Sequence, residues 1–247
     1  MNEQLSTPKC LNVKWEGHAD CEHCSIRKND IFASLDIIEY AEILKPIAQY
    51  YHPPKSILYV QNEPATHVYV IRNGVVKLEE TLNDGSVRIV RLLQSGDAVG
   101  IETVLDDTQK YDQSAVVLRG GAICKIPFSV FDKLEEKNPH FSQIVMEEWH
   151  RQLEAADRVI VDFSSGNVHD RVARVLIAQA ETSIKRGSIE IEMLSVEDMS
   201  ALTSVARESI SRVMAGFKRD GLLVKSGPNR MRYNWDGLNA LVGRKIE

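Results

Sequence analysis

The four cysteines of this 247-residue chain are its clearest candidates for chemistry, and they are unevenly placed. Three lie near the start, as Cys10, Cys21 and Cys24, and the fourth, Cys124, lies in the middle of the chain. Four thiolates are the ligands that a 4Fe–4S cluster takes from a protein. These residues therefore predict a 4Fe–4S cluster as the cofactor, with all four cysteines as its ligands.

Plainer interpretations of the same cysteines remain open on the residues alone. Cys21 and Cys24 lie close to His18 and His23, and thiolate sulfur and imidazole nitrogen are common ligands of zinc. Cys124 has the residue type of a small buried core position, which free cysteine often fills. The first cysteine would then be a spare thiol. A haem held through His or Cys, or no cofactor at all, is the remaining alternative.

A predicted helix-turn-helix near the C-terminus is the second candidate site. Ser195 caps a predicted helix over residues 196–202, a turn follows at 203–205, and a second helix covers 206–219. Arginine bonds guanine through two hydrogen bonds and glutamate accepts one from cytosine, so these residue types suit base reading. The predicted base-reading residues are Arg207, Glu208, Ser211 and Arg212. The predicted contacts to the DNA backbone are Lys218, Arg219 and, in a two-stranded wing, Arg230 and Arg232.

Charge is distributed unevenly along the chain. The whole chain carries 30 Lys and Arg against 35 Asp and Glu, a net charge of −5, which by itself does not favour nucleic acid. Residues 203–245 carry nine basic and three acidic side chains, a net charge of +6. A basic C-terminal module on an acidic body fits attraction to DNA phosphates better than a surface helix with solvated charges.

Composition and missing motifs disfavour other classes of protein. Hydrophobic residues make up 43% and charged residues 26%, which is ordinary for a soluble globular protein. No apolar run is long enough for a bilayer and the polar start resembles no signal peptide, so we expect a cytoplasmic protein without a membrane partner. Because thiols stay reduced in the cytoplasm, the cysteines are expected to be metal ligands or redox groups rather than structural disulfides. Without a phosphate-binding glycine loop, a nucleophile elbow or a clustered acid–base set, a metal enzyme is the less favoured alternative.

The elements that must position these residues change character along the chain. Apolar spacing predicts a helix over residues 31–47, after a polar and irregular start. Short Val-, Ile- and Tyr-rich runs between residues 57 and 118, separated by turn sequences, predict an antiparallel sandwich or barrel. Beyond Pro139, apolar residues recur at spacings of three and four, which predicts a helix that pairs with a second copy rather than docking on its own domain. The residues of this predicted dimer seam are Met146, Trp149, Leu153, Ala156, Ile160 and Phe163.

The order of these segments resembles the CRP/FNR superfamily of bacterial transcriptional regulators over nearly the whole chain. The stretches at 70–77, 96–100 and 170–173 look like its β-roll and post-dimer-helix signatures. The resemblance implies an α+β fold with an N-terminal cyclic-nucleotide-binding-like antiparallel β-roll, a long dimerisation helix and a C-terminal winged helix-turn-helix. It implies a cysteine-bearing segment at 1–30, the β-roll sensor domain at 31–138, the dimerisation helix at 139–166 and the DNA-binding domain at 167–247.

The same resemblance implies partners. Glu208-x-x-Ser211-Arg212 is similar to the FNR-type reading set, which implies a TTGAT-like half-site. Arg207 adds the Arg-Glu-x-x-x-Arg set of the CRP type, which implies a TGTGA-like half-site. We therefore expect a homodimer on double-stranded DNA with a palindromic site of one of these kinds, and RNA polymerase as a further partner.

The positions that resemble a nucleotide pocket lack the expected groups. In the CRP branch a Gly-Glu pair binds the ribose and an Arg-Ser pair holds the cyclic phosphate. Here Gly100-Ile101 and Gln113-Ser114 stand at those positions. Because glutamine brings no positive charge to the phosphate, we expect no cyclic nucleotide as ligand.

The cysteines instead resemble those of the FNR branch, which holds an oxygen-labile 4Fe–4S cluster. Cys124 precedes Lys-Ile-Pro-Phe, like the last ligand of that branch, and Cys21-x-x-Cys24 resembles its N-terminal pair. Cys10 departs from the best-known pattern, in which a third cysteine comes soon after the pair. The resemblance implies a regulator that senses oxygen, redox state or nitric oxide.

Overall fold

The structure is a computed structural model that describes residues 13–26, 31–105, 110–185 and 188–243, and only the backbone of residues 182–185. The chain divides into two compact units. The first comprises residues 1–85 and 90–154, and the second comprises residues 86–89 and 155–247.

Two sheets form the predicted roll. Its elements, in chain order, are β1 (Lys14–His18), α1 (Ala41–Leu44), β2 (Ala48–His52), β3 (Ile57–Tyr59), β4 (His67–Ile71), β5 (Val75–Thr81), β6 (Val87–Gln94), β7 (Ala98–Val99), a 3-10 helix (Ile101–Val104), β8 (Ser114–Arg119), β9 (Gly121–Pro127) and α2 (Phe128–Lys137). One sheet has the order β1-β2-β9-β4-β7, with antiparallel neighbours. The other has the order β3-β8-β5-β6.

The five-stranded sheet has an apolar core on each face. Successive side chains of a strand point to opposite faces. In β4, Val68 and Val70 therefore join one core, whereas Tyr69 and Ile71 join the other. The core of Tyr69 and Ile71 also takes residues from β5 and β8, so it lies between the two sheets. The other core contains Cys124 together with residues of the 31–47 segment and α2, so Cys124 faces away from the interior of the roll.

Two expectations for the N-terminal part are wrong. The helix predicted over residues 31–47 is reduced to α1, and turns fill the preceding stretch. The Asp36 carboxylate accepts the backbone N–H groups of Ile38 at 3.1 Å and Glu39 at 3.5 Å, as a helix-capping residue does, so a new helical turn starts at Asp36 and the predicted continuous helix is interrupted there. The apolar spacing is not followed in burial either, because Ile38 is 77% exposed whereas Ile37 is buried. The polar start is not irregular either, because β1 forms there.

The remaining elements confirm the predicted long helix and winged helix-turn-helix. They are α3 (Phe141–Ser164), α4 (Val168–Lys185), β10 (Glu190–Glu192), α5 (Val196–Thr203), α6 (Arg207–Arg219), β11 (Leu223–Gly227), β12 (Arg230–Tyr233) and α7 (Trp235–Leu241). The last three strands form a sheet in the order β10-β12-β11. Helix α7, which the sequence pattern did not predict, begins where the Asn234 side chain accepts the Gly237 N–H at 3.0 Å. Within the described ranges, no helix has both the length and the apolar character needed to cross a membrane.

Candidate functional site

Strand β1 brings the N-terminal cysteine pair to the edge of the sheet. It pairs with β2 in antiparallel register, and a turn follows directly after it. The Asp20 carboxylate accepts the His23 backbone N–H at 3.0 Å, which holds this turn. Cys21 and Cys24 lie in the turn, and both are half-buried.

Cys124 approaches the same place from within the sheet. It lies on β9 opposite Gln49 of β2 on one side and opposite Val70 of β4 on the other. Its side chain is 7% exposed and belongs to the core that Val70 also joins. A sheet position of this kind links the backbone of Cys124 directly to both neighbouring strands.

The three described cysteines line one small cavity. Its volume is about 20 Å³, which is room for about one water molecule. Most of the wall is apolar, and it contains one positive side chain, Arg72, and one negative side chain, Asp20. The Arg72 guanidinium also donates a hydrogen bond to the Gln49 side-chain carbonyl. Three cysteines in a largely apolar wall fit the soft donor set of an iron–sulfur cluster.

The described residues alone do not form a complete metal site. Among them, no three His, Cys, Asp or Glu side chains, the three cysteines included, are placed to hold a metal ion, so no ligand set is in place for zinc or for a cluster. His23, a candidate zinc ligand, is exposed, and its Nδ1 atom lies 3.2 Å from the Asp20 carboxylate. The other candidate, His18, lies edge-on to the Trp15 ring. Cys10, the predicted fourth cluster ligand, falls outside the described residues.

The helix-turn-helix is built as its sequence suggests. The Ser195 hydroxyl accepts the Asp198 N–H at 3.0 Å and so caps α5. Ser204 adopts a left-handed conformation with φ of 57°, which ends α5 and starts the turn. Helix α6 then buries one side, formed by Ile210, Val213, Met214 and Phe217. Its exposed side carries all four predicted base-reading residues, namely Arg207, Glu208, Ser211 and Arg212.

The predicted backbone contacts lie at the end of α6 and in the wing. Lys218 and Arg219 occupy the last turn of α6, and Arg230 begins β12; all three are exposed. Arg232 differs, because its Nε atom lies 3.6 Å from the Glu190 carboxylate on the neighbouring strand. Part of the Arg232 charge is therefore already balanced within the wing.

Three residues of the predicted dimer seam on α3, spaced seven apart, are exposed. Met146, Leu153 and Ile160 are 53%, 50% and 63% exposed and form a stripe along the helix. Val161, 65% exposed, extends this apolar surface but escaped the sequence reasoning because it does not fit the heptad spacing. An exposed apolar stripe of this length is a feature of helices that pair with another surface.

The other predicted seam residues are less exposed to a partner. Trp149 is half-buried, with the Arg91 guanidinium 4.9 Å above its ring, and Ala156 is half-buried as well. Phe163 is 7% exposed. The sequence reasoning also missed two buried polar residues of α3, Glu148 and Gln152. Their spacing of four residues was the only signal in the sequence, and it is equally typical of an exposed helix face.

Comparison with known proteins agrees with this architecture. The family model of the cyclic nucleotide-binding domain matches residues 50–138, and that of the Crp-like helix-turn-helix domain matches residues 170–241. The chain belongs to the CRP/FNR superfamily. Relatives of this CRP/FNR regulator include the transcriptional activator protein anr of Pseudomonas aeruginosa, 25% identical over 242 residues, which are 96% of this chain and 98% of that protein. The fumarate and nitrate reduction regulatory protein of Salmonella typhi is 25% identical over 232 residues, 90% of each chain.

Solved structures show the same fold. FixK2 from Bradyrhizobium japonicum superposes with a TM-score of 0.68 at 18% identity, covering 81% of this chain and 99% of that one. A transcriptional regulator of the CRP family from Thermus thermophilus superposes with a TM-score of 0.66 at 23% identity, covering 80% of this chain and 98% of that one. As a CRP/FNR regulator, this chain is a DNA-binding transcriptional regulator in a family without enzymatic activity.

The interior of the roll of this CRP/FNR regulator is filled by its own side chains. Tyr59 and Tyr111 stack with their ring centroids 3.6 Å apart beside Gly100. Ile101 is fully buried. Glu102 is buried too, neither of its carboxylate oxygens has a hydrogen-bond partner among the described residues, and burial raises its pKa.

Proposed function

We propose that this regulator is a cytoplasmic homodimer that reads a palindromic DNA site and senses oxygen, redox state or nitric oxide through a 4Fe–4S cluster. Cys10, Cys21, Cys24 and Cys124 would hold the cluster. The observation that carries the proposal is that Cys21, Cys24 and Cys124, far apart in sequence, line one cavity. Relatives that are named as anaerobic or fumarate and nitrate reduction regulators support the same assignment.

The surrounding residues prepare this site in distinct ways. Strand β1 anchors the turn that carries Cys21 and Cys24, and β9 holds Cys124 between β2 and β4. Arg72 offsets part of the negative charge of the thiolates. When bound, the cluster supplies an oxygen-sensitive connection between the N-terminal segment and the sheet. Because the cavity holds only about one water, the turn that carries Cys21 and Cys24 has to give way to admit a cluster.

The DNA-binding part reads bases through α6. Glu208 and Arg212 would read the bases that TTGAT-like and TGTGA-like half-sites share, and Ser211 or Arg207 would favour one half-site or the other. In a homodimer, two such helices enter the major groove about one DNA turn apart, which requires a palindromic site. RNA polymerase is the further partner that we propose for a regulator of this kind.

Dimerisation through α3 links the two activities. The exposed stripe of Met146, Leu153 and Ile160 pairs with the same stripe of a second copy. An intact cluster favours pairing, and its loss to oxygen or nitric oxide lowers the affinity for DNA. This is a shift between two populations, so the cluster must bind the pairing-competent state more tightly than the other state.

Absorption spectra with iron and sulfide assays on protein purified without oxygen test the sensor. We expect a brown protein with about four irons per chain that bleaches in air. Cys124→Ser should lose the iron, whereas Ser25→Ala, a change of an exposed residue next to Cys24, should keep it. A colourless, iron-free wild-type protein that still binds a palindrome would keep the DNA-binding regulator and refute the cluster.

A further inference from the structure

Two buried polar side chains of α3 hold the last strand of the five-stranded sheet. The Ala98 N–H of β7 donates to Glu148 Oε1 at 3.1 Å, and Gln152 Nε2 donates to the Ala98 carbonyl at 2.5 Å. Glu148 is 5% exposed and Gln152 is 2% exposed. A strand at the end of a sheet leaves its outer N–H and C=O groups unpaired. Glu148 and Gln152 satisfy both groups of Ala98, and we refer to this pair as the clasp.

The clasp is part of a connected network of hydrogen bonds. Gln152 Nε2 also donates to Glu148 Oε1 at 2.8 Å, and the Arg151 guanidinium donates to the second oxygen of Glu148. Gln152 Oε1 accepts from Arg91 at 3.4 Å, and Arg91 covers the ring of Trp149. A buried polar network in which every member has partners is rigid and fixes one arrangement of the packed elements.

The clasp and the cysteine site lie on one row of the sheet. Cys124 pairs with Val70, and Val70 pairs with Ala98. Adjacent strands are about 4.8 Å apart, so the row from Cys124 to Ala98 spans only about 10 Å. All three side chains belong to the same core. Both backbone groups of Ala98 bond to the clasp, so a displacement of Cys124 reaches Ala98 through the packed Val70 side chain and through the neighbouring bond from the Ile71 N–H to the Asp97 carbonyl at 3.1 Å.

We infer that Glu148 and Gln152 are positioning residues that transmit the state of the Cys124 site to the dimerisation helix. This inference rests on the proposed function. Each clasp residue lies next to a predicted seam residue in sequence: Glu148 precedes Trp149, and Gln152 precedes Leu153. A change in the position of Ala98 shifts the clasp and with it the exposed stripe of α3. Without the clasp, α3 still packs through its apolar residues, but its position no longer depends on the position of Ala98.

Substitution of Gln152 separates signal transmission from cluster binding. Gln152→Met keeps the length of the side chain and removes the bonds to Ala98, Glu148 and Arg91. The matched control is Gln143→Met, because Gln143 makes an equivalent bond to Glu147 on the exposed part of the same helix. The measurement is the DNA affinity of the holoprotein before and after exposure to air. We expect the ratio of the two affinities to fall at least fivefold in Gln152→Met and to stay unchanged in the control, with equal iron content.

A second measurement does not depend on a cluster. Hydrogen exchange of the α3 amides is recorded in cluster-free protein for Cys124→Ala in the wild-type and Gln152→Met backgrounds. Cys124→Ala should change the protection of the α3 amides from exchange at least threefold in the wild-type background. It should leave their protection unchanged in the Gln152→Met background. If Cys124→Ala changes protection equally in both backgrounds, or in neither, the clasp does not transmit the state of Cys124. That result overturns the inference about the clasp even if iron analysis supports the cluster. Conversely, a wild-type protein that contains no iron refutes the proposed cluster but leaves this test of the clasp valid.

Discussion

Glu208 and Lys218 lie at opposite ends of α6, and we expect them to contribute differently to DNA binding. Both are exposed, but a carboxylate can gain from DNA only by accepting from a base, whereas an ammonium group gains from any phosphate. Glu208→Ala should cost about 1–3 kcal/mol of discrimination at one base pair. Lys218→Ala should weaken all sequences alike and reduce the salt slope by about 0.9. Fluorescence anisotropy with single-base variants of the palindrome measures both, and uniform weakening by Glu208→Ala would refute its role in base reading.

Asp97 gives the region next to the clasp a measurable pH dependence. Its carboxylate accepts the Gln94 N–H at 2.7 Å, and burial, reinforced by the charge of Glu148, raises its pKa from 3.8 to about 6. A carboxyl group with a raised folded pKa binds its proton more tightly in the folded state. Its stabilising contribution is therefore present below about pH 4 and is lost as the pH rises through about 6.

Asp97→Asn should remove this pH dependence. The asparagine oxygen can still accept the Gln94 N–H, so the turn is kept and only the ionisation is lost. We expect the free energy of unfolding of Asp97→Asn to rise relative to wild type between pH 5 and pH 7.5. Thermal unfolding at the two pH values measures the change, with the exposed Asp132→Asn as control. Parallel pH profiles of wild type and Asp97→Asn would contradict the assignment.

At the scale of elements, β1 is the support of the cysteine pair. It contains a register shift between Trp15 and Gly17. Gly17 has a φ of +121°, a backbone conformation that residues other than glycine rarely adopt. Gly17→Ala should therefore strain β1 by about 1–3 kcal/mol although no atom blocks the new methyl group. We expect faster loss of iron in air, measured by the decay of the cluster absorbance.

Gly85→Ala is the matched control for Gly17→Ala. Gly85 also has a positive φ, of +78°, and open space around it, but it lies in the turn between β5 and β6. Its substitution should lower stability without changing the rate of iron loss. Equal rates of iron loss in the two variants would mean that β1 does not support the site.

The elements also mark where sequence reasoning succeeds. Helix α5 and helix α6 could be predicted because a Ser195 cap and apolar spacing act locally. Strand β1 could not, because its residues are mostly exposed and it becomes a strand only through pairing with β2. The 31–47 segment has helical spacing, but Asp36 caps a new turn in its middle and so interrupts the continuous helix. The clasp has no sequence signature, because Glu148 and Gln152 are ordinary helix-surface residues until Ala98 meets them.

At the scale of the whole molecule, the proposed homodimer is what would bring two recognition helices to one DNA site. In a two-fold symmetric pair, a seam residue of one copy faces the same region of its partner. Ile160→Glu therefore brings two like charges together in an apolar interface. We expect the dimer dissociation constant to rise at least tenfold, equivalent to about 1.4 kcal/mol. Sedimentation analysis of the anaerobic protein measures it.

The loss of pairing should be seen in DNA binding as well. A monomer keeps its contacts to one half-site but loses the second, so the affinity for the palindrome should fall to that for a single half-site. Ile38→Glu is the control, because Ile38 is 77% exposed and lies in the first unit, outside the seam. If Ile160→Glu remains a dimer of unchanged affinity, the copies pair through another surface. If it becomes a monomer and still binds the palindrome as tightly as wild type, the link from α3 pairing to DNA affinity is refuted while the base-reading role of α6 stands.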